Sequence, residues 1–335
     1  MNNFTFSRAT DTSSALRLIS ESSEPSAARF LAGGTNLIDL MREGIEQPPS
    51  LVDITLLPLS AVQELPDGAV RVGAMVRNSH LAAHPLIRER YPLLSQAILM
   101  GASAQLRNMA TTGGNLMQRT RCYYFYDGAT ACNKRLPGSG CDALDGFNRI
   151  HAILGASPLC IATHPSDMCV ALAALDANVN ITGPSGERQI AITDFHRLPG
   201  ETPEVDTNLK TGELITSIDL PASTGGLDST YRKVRDRASY AFALVSVAAA
   251  VRVEQGIIRE IRLALGGVAH KPWRASLAEK LLRGKEATQE NFAAAASAEL
   301  EPARPRKHNA FKVELTKRII ALVLSELTAD KGTAQ

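Results

Sequence analysis

The chain has 335 residues, of which 44% are hydrophobic and 21% are charged, values that are ordinary for a globular protein. That length predicts two or three domains, and a formal net charge of +2 gives no indication of a nucleic-acid-binding surface. The longest apolar run, near 241–251, is shorter than the roughly 20 residues of a membrane helix, so we expect no membrane insertion.

The first 60 residues alternate strand and helix patterns, which predicts a small α/β unit. Its predicted elements are a strand at 4–6, a helix at 11–20, a strand at 28–32, a helix at 37–41 and a strand at 51–54. A strand at 69–75 and helices at 79–84 and 94–100 follow. Periodicity disappears from about 119 to 162, which predicts a loop-rich insertion. An apolar helix is then expected after Ser166, a favourable N-cap residue.

Glycine and proline are frequent in residues 200–225, and this density predicts a domain boundary near 222–229. Beyond the boundary, the pattern predicts a strand at 229–234, a helix at 242–247, a strand at 257–265 and helices near 275–283 and 310–327.

Two short glycine-containing turns have the residue types of an anion-binding site. They are residues 31–37 (LAGGTNL), between a predicted strand and a predicted helix, and residues 111–115 (TTGGN). Glycine lets the backbone approach a phosphate without a Cβ clash, and free N–H groups at a helix start favour an anion. Two such turns can hold the two ends of one extended pyrophosphate cofactor; a pair of turns without a ligand is the alternative. Neither is a P-loop or a Rossmann fingerprint.

All five cysteines lie within residues 122–169, with 9, 8, 18 and 8 residues between them. Disulfide frameworks are typical of small secreted domains, and structural zinc sites usually contain cysteine pairs two to four residues apart. Wide spacing suits a larger cluster that joins several loops, and a [4Fe–4S] cluster needs four thiolates. We therefore predict an iron–sulfur site with the ligands Cys122, Cys132, Cys141 and Cys160.

The fifth cysteine, Cys169, lies in an apolar segment where free buried thiols are common, so we predict that it is not a ligand. His151 and His164 are alternative ligands, and unrelated thiols are the alternative to the whole site. We expect Lys134 to offset negative charge at the cluster and Gly140 to bring a backbone N–H group to a sulfur.

Several segments together resemble the FAD-binding subunits of the xanthine dehydrogenase, or molybdenum hydroxylase, family. They are 32–36 (AGGTN), 107–115 (RNMATTGGN), 165–168 (PSDM) and 266–273 (GGVAHKPW), and the resemblance runs over almost the whole chain. The insertion, with its RCYYFYD and CNKRLPGSGC segments, is similar to that of flavin subunits with an additional [4Fe–4S] cluster. Of these, the bacterial periplasmic aldehyde oxidoreductases resemble it best.

The resemblance implies an α+β fold. Residues 1–224 would form an α/β-type FAD-binding domain of the vanillyl-alcohol oxidase type, in two parts (1–57 and 58–224), with the iron–sulfur insertion at about 119–162. Residues 225–330 would form a smaller α+β flavin domain.

The same resemblance implies roles for individual residues. The first turn would wrap the FAD pyrophosphate, and Thr111, Gly114 and Asn115 would hold the phosphate and ribityl region. Asp167 resembles a carboxylate that binds sugar hydroxyls, and Lys233 resembles a lysine that stabilises the reduced flavin ring. The predicted cofactor-binding residues are Leu31, Ala32, Gly33, Gly34, Thr35, Asn36, Leu37, Thr111, Gly114, Asn115, Gln118, Asp167 and Lys233.

The implied function is that of an oxidoreductase subunit that passes electrons from aldehyde oxidation in a partner to an external acceptor. The expected partners are a large molybdenum-cofactor subunit and a small [2Fe–2S] subunit, in a heterotrimer. We expect no catalytic acid, base or nucleophile in this chain. Alternatives are the flavin subunit of an aromatic acyl-CoA reductase or of a xanthine dehydrogenase, a stand-alone flavin oxidase, and a zinc-stabilised scaffold.

The N-terminal residues MNNFTF contain neither the basic nor the apolar segment of a secretory signal. We therefore expect no signal peptide, and expect the periplasm as the compartment, reached by export with a partner that carries a signal. The cytoplasm is the alternative.

Overall fold

The structure, a computed structural model, describes residues 2–24, 26–222 and 227–329. Its strands are β1 (Thr5–Arg8), β2 (Arg29–Leu31), β3 (Ser50–Asp53), β4 (Val62–Glu64), β5 (Val70–Gly73), β6 (Asn178–Gly183), β7 (Gly186–Ala191), β8 (Leu214–Leu220), β9 (Asp228–Val234), β10 (Val245–Glu254), β11 (Ile257–Gly266) and β12 (Trp273–Arg274). Its helices are α1 (Thr12–Ser20), α2 (Leu37–Arg42), α3 (Asn78–Ala83), α4 (Pro85–Arg90), α5 (Pro92–Met100), α6 (Ala104–Met109), α7 (Thr112–Leu116), α8 (Tyr123–Tyr126), α9 (Asp167–Ala174), α10 (Ile192–Phe195), α11 (Ser276–Leu282), α12 (Gln289–Glu299) and α13 (Phe311–Thr328).

The first sheet is a small parallel sheet with the strand order β1-β3-β2. Asp11 caps the helix that follows β1, because its carboxylate accepts a hydrogen bond from the backbone N–H of Ser14, whose hydroxyl bonds back to the N–H of Asp11. These elements confirm the predicted α/β unit. Because β2 ends at Leu31, the first glycine turn begins at the carboxyl edge of a parallel sheet, where ligands commonly bind.

The second sheet is antiparallel and has the order β4-β5-β8-β6-β7. It joins residues that are far apart in the sequence, and Arg71 on β5 pairs with Asp219 on β8 through nitrogen–oxygen distances of 2.7 Å. Ser166 caps α9 as predicted, accepting a hydrogen bond from the N–H of Cys169. Every residue of α9 is buried, because this helix packs between the second and third sheets.

The third sheet, with the order β12-β11-β10-β9, is antiparallel, and α11, α12 and α13 cover one face. The prediction of a helix at 242–247 is wrong, since strand β10 begins at Val245. Val247 and Ala249 pack towards these helices, whereas Ala248 packs in the core that contains α9. A strand with both faces buried has no polar alternation, so its sequence resembles a buried helix.

The insertion has little regular structure, as predicted: it contains the short helix α8 and isolated bridges such as Cys132–Cys141. It forms a core of its own around Phe125 and the cysteines, which packs on Leu40 of α2. The predicted boundary near 222–229 includes residues 223–226, which lie outside the described residues, as does residue 330. Among the described helices, none is long and apolar enough to cross a membrane.

Candidate functional site: a glycine-lined cleft beside a cysteine cluster

A cleft of about 560 Å³ opens between the first and second sheets, and both glycine turns line it. That volume lies within the usual range for cofactor sites. A segment from 204 to 215 forms another wall. The predicted residues that line the cleft are Leu31, Ala32, Gly33, Gly34, Thr35, Asn36, Leu37, Thr111, Gly114 and Gln118. Asn115, Asp167 and Lys233 are not among its lining residues.

The first turn requires glycine because it packs against the backbone of Met109, just ahead of the second turn in the sequence. A Cβ atom on Gly33 would lie 2.1 Å from the carbonyl oxygen of Met109, and Gly34 has a φ of +70°. The backbone N–H groups of Gly33, Gly34 and Thr35 donate to no acceptor among the described residues. They are therefore available to an anion in the cleft.

Side-chain hydrogen bonds hold the second turn in place. The hydroxyl of Thr111 accepts a hydrogen bond from the N–H of Gly114 at 3.2 Å. Asn115 Oδ1 lies 2.6 Å from both Gln118 Nε2 and Ser166 Oγ. Asn115 thus connects the turn to the start of α9 and orients Gln118, which itself reaches the cleft.

The cleft wall contains a buried charge network that the sequence analysis did not identify. Arg119 Nη1 lies 2.5 Å from Glu46, and its Nε lies 2.9 Å from Asp206. Asp206 also accepts from Lys134 Nζ at 2.5 Å. Burial alone would raise the pKa of Asp206, but Lys134 and Arg119 hold it well below its usual value. Asp206 is therefore a carboxylate that faces the cleft on one side and Lys134 on the other.

Asp167 and Lys233 form a second buried network at some remove from this cleft. Lys233 Nζ donates to Asp167 Oδ2 at 2.8 Å, and the hydroxyl of Tyr231 donates to Asp167 Oδ1 at 2.5 Å. Asp167 lines a small cavity of about 30 Å³ together with Ser166 and Gly266. The structure brings the two predicted residues together as an ion pair, and their roles towards a cofactor stay predictions.

The four predicted cysteine ligands come together as free thiols. Cys122, Cys132 and Cys160 are buried, and Cys141 is partly buried. Burial raises the pKa of Cys122 to about 12 and of Cys160 to about 11. The neighbouring cysteines contribute to these raised pKa values: Cys132 and Cys160 do so at Cys122, and Cys141 and Cys132 do so at Cys160. A metal that bound here would displace these protons.

The sulfur spacing distinguishes between metals. Among the described residues, no three of these sulfurs lie within 4.8 Å of one another. Tetrahedral zinc, with Zn–S bonds of about 2.3 Å, would need sulfurs roughly 3.8 Å apart. The wider arrangement fits a cluster with several metal ions better than it fits one zinc ion.

Hydrogen bonds to the sulfurs come from groups other than the predicted glycine. The backbone N–H of Gly140 donates to Asn133 Oδ1 at 2.9 Å and not to a sulfur, whereas those of Ala143 and Ile161 reach the thiol of Cys141. Its φ of +101° explains the glycine instead. The N–H of Ala162 reaches Cys160 Sγ at 3.4 Å, and His151 Nε2 lies 3.0 Å from Cys122 Sγ.

The remaining cysteine lies outside this cluster. Cys169 is fully buried on α9, and its thiol lies within 4.8 Å of ring nitrogens of His164 and His196. The N–H of Ser166 donates to Nδ1 of His164 at 3.3 Å, which leaves the proton of the neutral ring on Nε2. Because His164 then has no free lone pair for a metal, this group fits a packed polar core better than a metal site.

Two family models match the chain. Residues 2–223 match the FAD binding domain in molybdopterin dehydrogenase, and residues 229–327 match the CO dehydrogenase flavoprotein C-terminal domain. The chain belongs to the FAD-binding subunits of the molybdenum hydroxylase, or xanthine dehydrogenase, family.

The relatives extend over nearly the whole chain. It is 53% identical to PaoB, the FAD-binding subunit of an aldehyde oxidoreductase of Escherichia coli, over 90% of this chain and 92% of PaoB. It is 30% identical to the glyceraldehyde dehydrogenase medium chain of Sulfolobus acidocaldarius, over 89% of each. A chain of the solved carbon monoxide dehydrogenase of Hydrogenophaga pseudoflava is 26% identical, with a TM-score of 0.75 over 97% of both chains. The predicted family, the α+β fold, FAD binding and the oxidoreductase class are confirmed.

Proposed function

We propose that this chain is the FAD- and [4Fe–4S]-containing electron-transfer subunit of a molybdenum-dependent aldehyde oxidoreductase. The 53% identity to PaoB, over about nine tenths of both chains, supports aldehydes as the substrate class. The observation that carries the two-cofactor proposal is the position of Lys134. It follows the proposed ligand Cys132, and its Nζ donates to Asp206, which lines the glycine cleft.

The residues of the cleft fit FAD. The free N–H groups of Gly33, Gly34 and Thr35 offer donors to a pyrophosphate, and Gln118 offers a side-chain amide further along the cleft. Bound FAD would supply a carrier that stores two electrons and can exchange them singly or in pairs. The role of this chain is to hold and tune that carrier, and Arg119 places a permanent positive charge in the wall.

The cysteine cluster fits a [4Fe–4S] group. Four thiols converge in a small apolar core, no three of their sulfurs lie within 4.8 Å of one another in the part of the chain that the structure describes, and backbone N–H groups point at the sulfurs. Lys134, whose side chain is 1% exposed, adds a buried positive charge that offsets the negative charge of a thiolate cluster. Cys122, Cys132, Cys141 and Cys160 would be the ligands.

The proposed assembly is a heterotrimer of this chain with a large molybdenum-cofactor subunit and a small [2Fe–2S] subunit. In this assembly, this chain passes the electrons to an external acceptor. Relatives described as medium chains of glyceraldehyde and carbon monoxide dehydrogenases support a multi-subunit assembly. We also propose the periplasm as the compartment, with export on the signal of a partner.

The test compares the complex purified from its source with the isolated chain. We expect an aldehyde to bleach the flavin absorption of the complex under anaerobic conditions, and to leave the isolated chain unchanged. Complete aldehyde turnover by the isolated chain would overturn the subunit role. In the same preparation, Cys132→Ser should reduce the iron content, whereas the matched variant Cys169→Ser should retain it.

A further inference from the structure

We propose that His151 is a positioning residue that donates a hydrogen bond from Nε2 to the sulfur of Cys122 and thereby raises the reduction potential of the cluster. The inference rests on the proposed function, because it needs a cluster at the four cysteines. It assigns His151 a role other than that of the alternative ligand considered from the sequence.

The contact between His151 and Cys122 is short and is buried from solvent. His151 Nε2 lies 3.0 Å from Cys122 Sγ, and the two residues are 1% and 7% exposed. A metal-bound thiolate has lone pairs and no proton, so the contact is favourable only when Nε2 carries the hydrogen. His151 Nδ1 has no hydrogen-bond partner among the described residues, so no other group selects the opposite tautomer.

The backbone of His151 is held by residues from the far end of the chain. Its carbonyl oxygen accepts from Lys312 Nζ at 2.8 Å and from Asn309 Nδ2 at 3.2 Å, and its N–H donates to the carbonyl of Asn148 at 3.1 Å. Lys312 and Asn309 are both 0% exposed. This clamp, at the start of α13, holds the imidazole against Cys122.

The direction of the effect follows from charge. Reduction adds negative charge to the cluster and its sulfurs. A hydrogen-bond donor next to a sulfur therefore stabilises the reduced cluster more than the oxidised cluster, which raises the reduction potential. Other donors at the proposed ligands, such as the N–H of Ala162 at Cys160 and that of Phe125 at Cys122, belong to the backbone. His151 is therefore the position at which a side-chain substitution alters this interaction.

The experiment uses the full chain, purified without oxygen, and an EPR-monitored redox titration of three variants. His151→Leu removes the donor, and we expect a fall of about tenfold in the reduced-to-oxidised ratio at a fixed potential, or about 59 mV for one electron. His151→Gln places an amide N–H near the Nε2 position and should restore most of the wild-type potential. His308→Leu is the matched control, because this ring packs on Phe147 and has no hydrogen bond to a sulfur within the part of the chain that the structure describes; its potential should be that of the wild type.

Each outcome has one meaning. A cluster that is present in all variants with equal potentials would overturn the inference and leave the proposed function intact. Loss of iron in both His151 variants, but not in His308→Leu, would also overturn it, because it would show that the site needs more from His151 than a hydrogen bond that glutamine can replace. If only His151→Leu loses iron, the test depends on His151→Gln. A reduction potential of the cluster in His151→Gln that differs from that of the wild type by more than about 59 mV would then contradict the proposal. A wild-type chain without iron would instead defeat the cluster of the proposed function.

Discussion

Lys134 and Asp206 form a buried ion pair, with Nζ 2.5 Å from Oδ1, between the cysteine cluster and the glycine-lined cleft. Lys134 lies two residues after Cys132, and Asp206 shares its second oxygen with Arg119 in the cleft wall. The two candidate cofactor sites are therefore parts of one electrostatic unit, and a change in its charge affects both.

The substitution Lys134→Met should destabilise the chain. It leaves Asp206 charged and largely buried with Arg119 as its remaining cation, and breaking a buried pair in this way costs roughly 2–4 kcal/mol. Guanidinium unfolding measures the effect. Arg318→Met is the control, because the Arg318–Glu314 pair is exposed and should contribute within about 0.5 kcal/mol. Equal unfolding midpoints for the two variants would contradict the assignment.

Acid should destabilise the fold through its buried histidines. Burial lowers the pKa of His196 and of His270 to about 4, whereas a histidine in an unfolded chain has a pKa of about 6.5. Between these values the unfolded chain binds protons that the folded chain excludes, so the contribution of these histidines to stability is complete above about pH 6.5 and falls towards pH 4. The slope approaches about 1.4 kcal/mol per pH unit for each histidine.

Unfolding midpoints measured from about pH 7 to pH 4.5 test this dependence. His270→Asn keeps a donor for the carbonyl of Arg197, which His270 Nδ1 reaches at 2.8 Å, and removes one titrating group. Its midpoint should fall less steeply with acid. An unchanged slope would show that His270 is not held neutral.

Gly33→Ala should weaken FAD binding at least about tenfold. The new Cβ would meet the carbonyl oxygen of Met109 at 2.1 Å, and relief of that clash must move the two glycine turns apart. Fluorescence titration of the flavin-free chain with FAD measures the affinity. Gly128→Ala is matched in chemistry, since a Cβ there meets no atom within 4 Å, and it should bind FAD like the wild type. Equal affinities for both variants would refute the assignment of the first turn.

The pair Lys233–Asp167 gives a further prediction. Lys233→Met leaves a buried carboxylate with only Tyr231 as a close donor among the described residues, and should cost about 3–5 kcal/mol. Adding Asp167→Asn removes the unpaired charge, so the double variant should recover part of that loss in a double-mutant cycle. A double variant as unstable as the sum of the two single variants would show that the ion pair is unimportant.

The residues that bear the chemistry could be predicted because they form local patterns. The glycine turns and the four cysteines are each recognisable within a few tens of residues, and the structure brings both sets together. Arg119 and Asp206 could not be predicted, because a charged residue carries no signal of its own. Their role depends on a contact between residues 119 and 206 that only the tertiary fold creates.

The failures in secondary structure have a similar cause. The helix predicted at 242–247 overlaps the start of strand β10. Residues 245–251 of this strand are all buried, so the sequence there has no polar alternation to indicate a strand. No strand was predicted for β6, β7 or β8. The pairing of β8 with β5 joins residues about 150 positions apart, which a local pattern does not reveal. The sequence offers His151 only as an alternative ligand. Its hydrogen-bonding contact with the sulfur of Cys122 depends on the tertiary fold.

The central claim is that one chain holds both FAD and a four-cysteine cluster, and chemical analysis combined with the visible absorption spectrum of the anaerobically purified chain tests it most directly. The account predicts one FAD, four irons and four sulfides per chain, with iron lost in the Ser variants of Cys122, Cys132, Cys141 and Cys160 and retained in Cys169→Ser. Flavin without iron would contradict the cluster and leave the family assignment in place. Zinc in place of iron and sulfide would contradict the interpretation of the sulfur spacing.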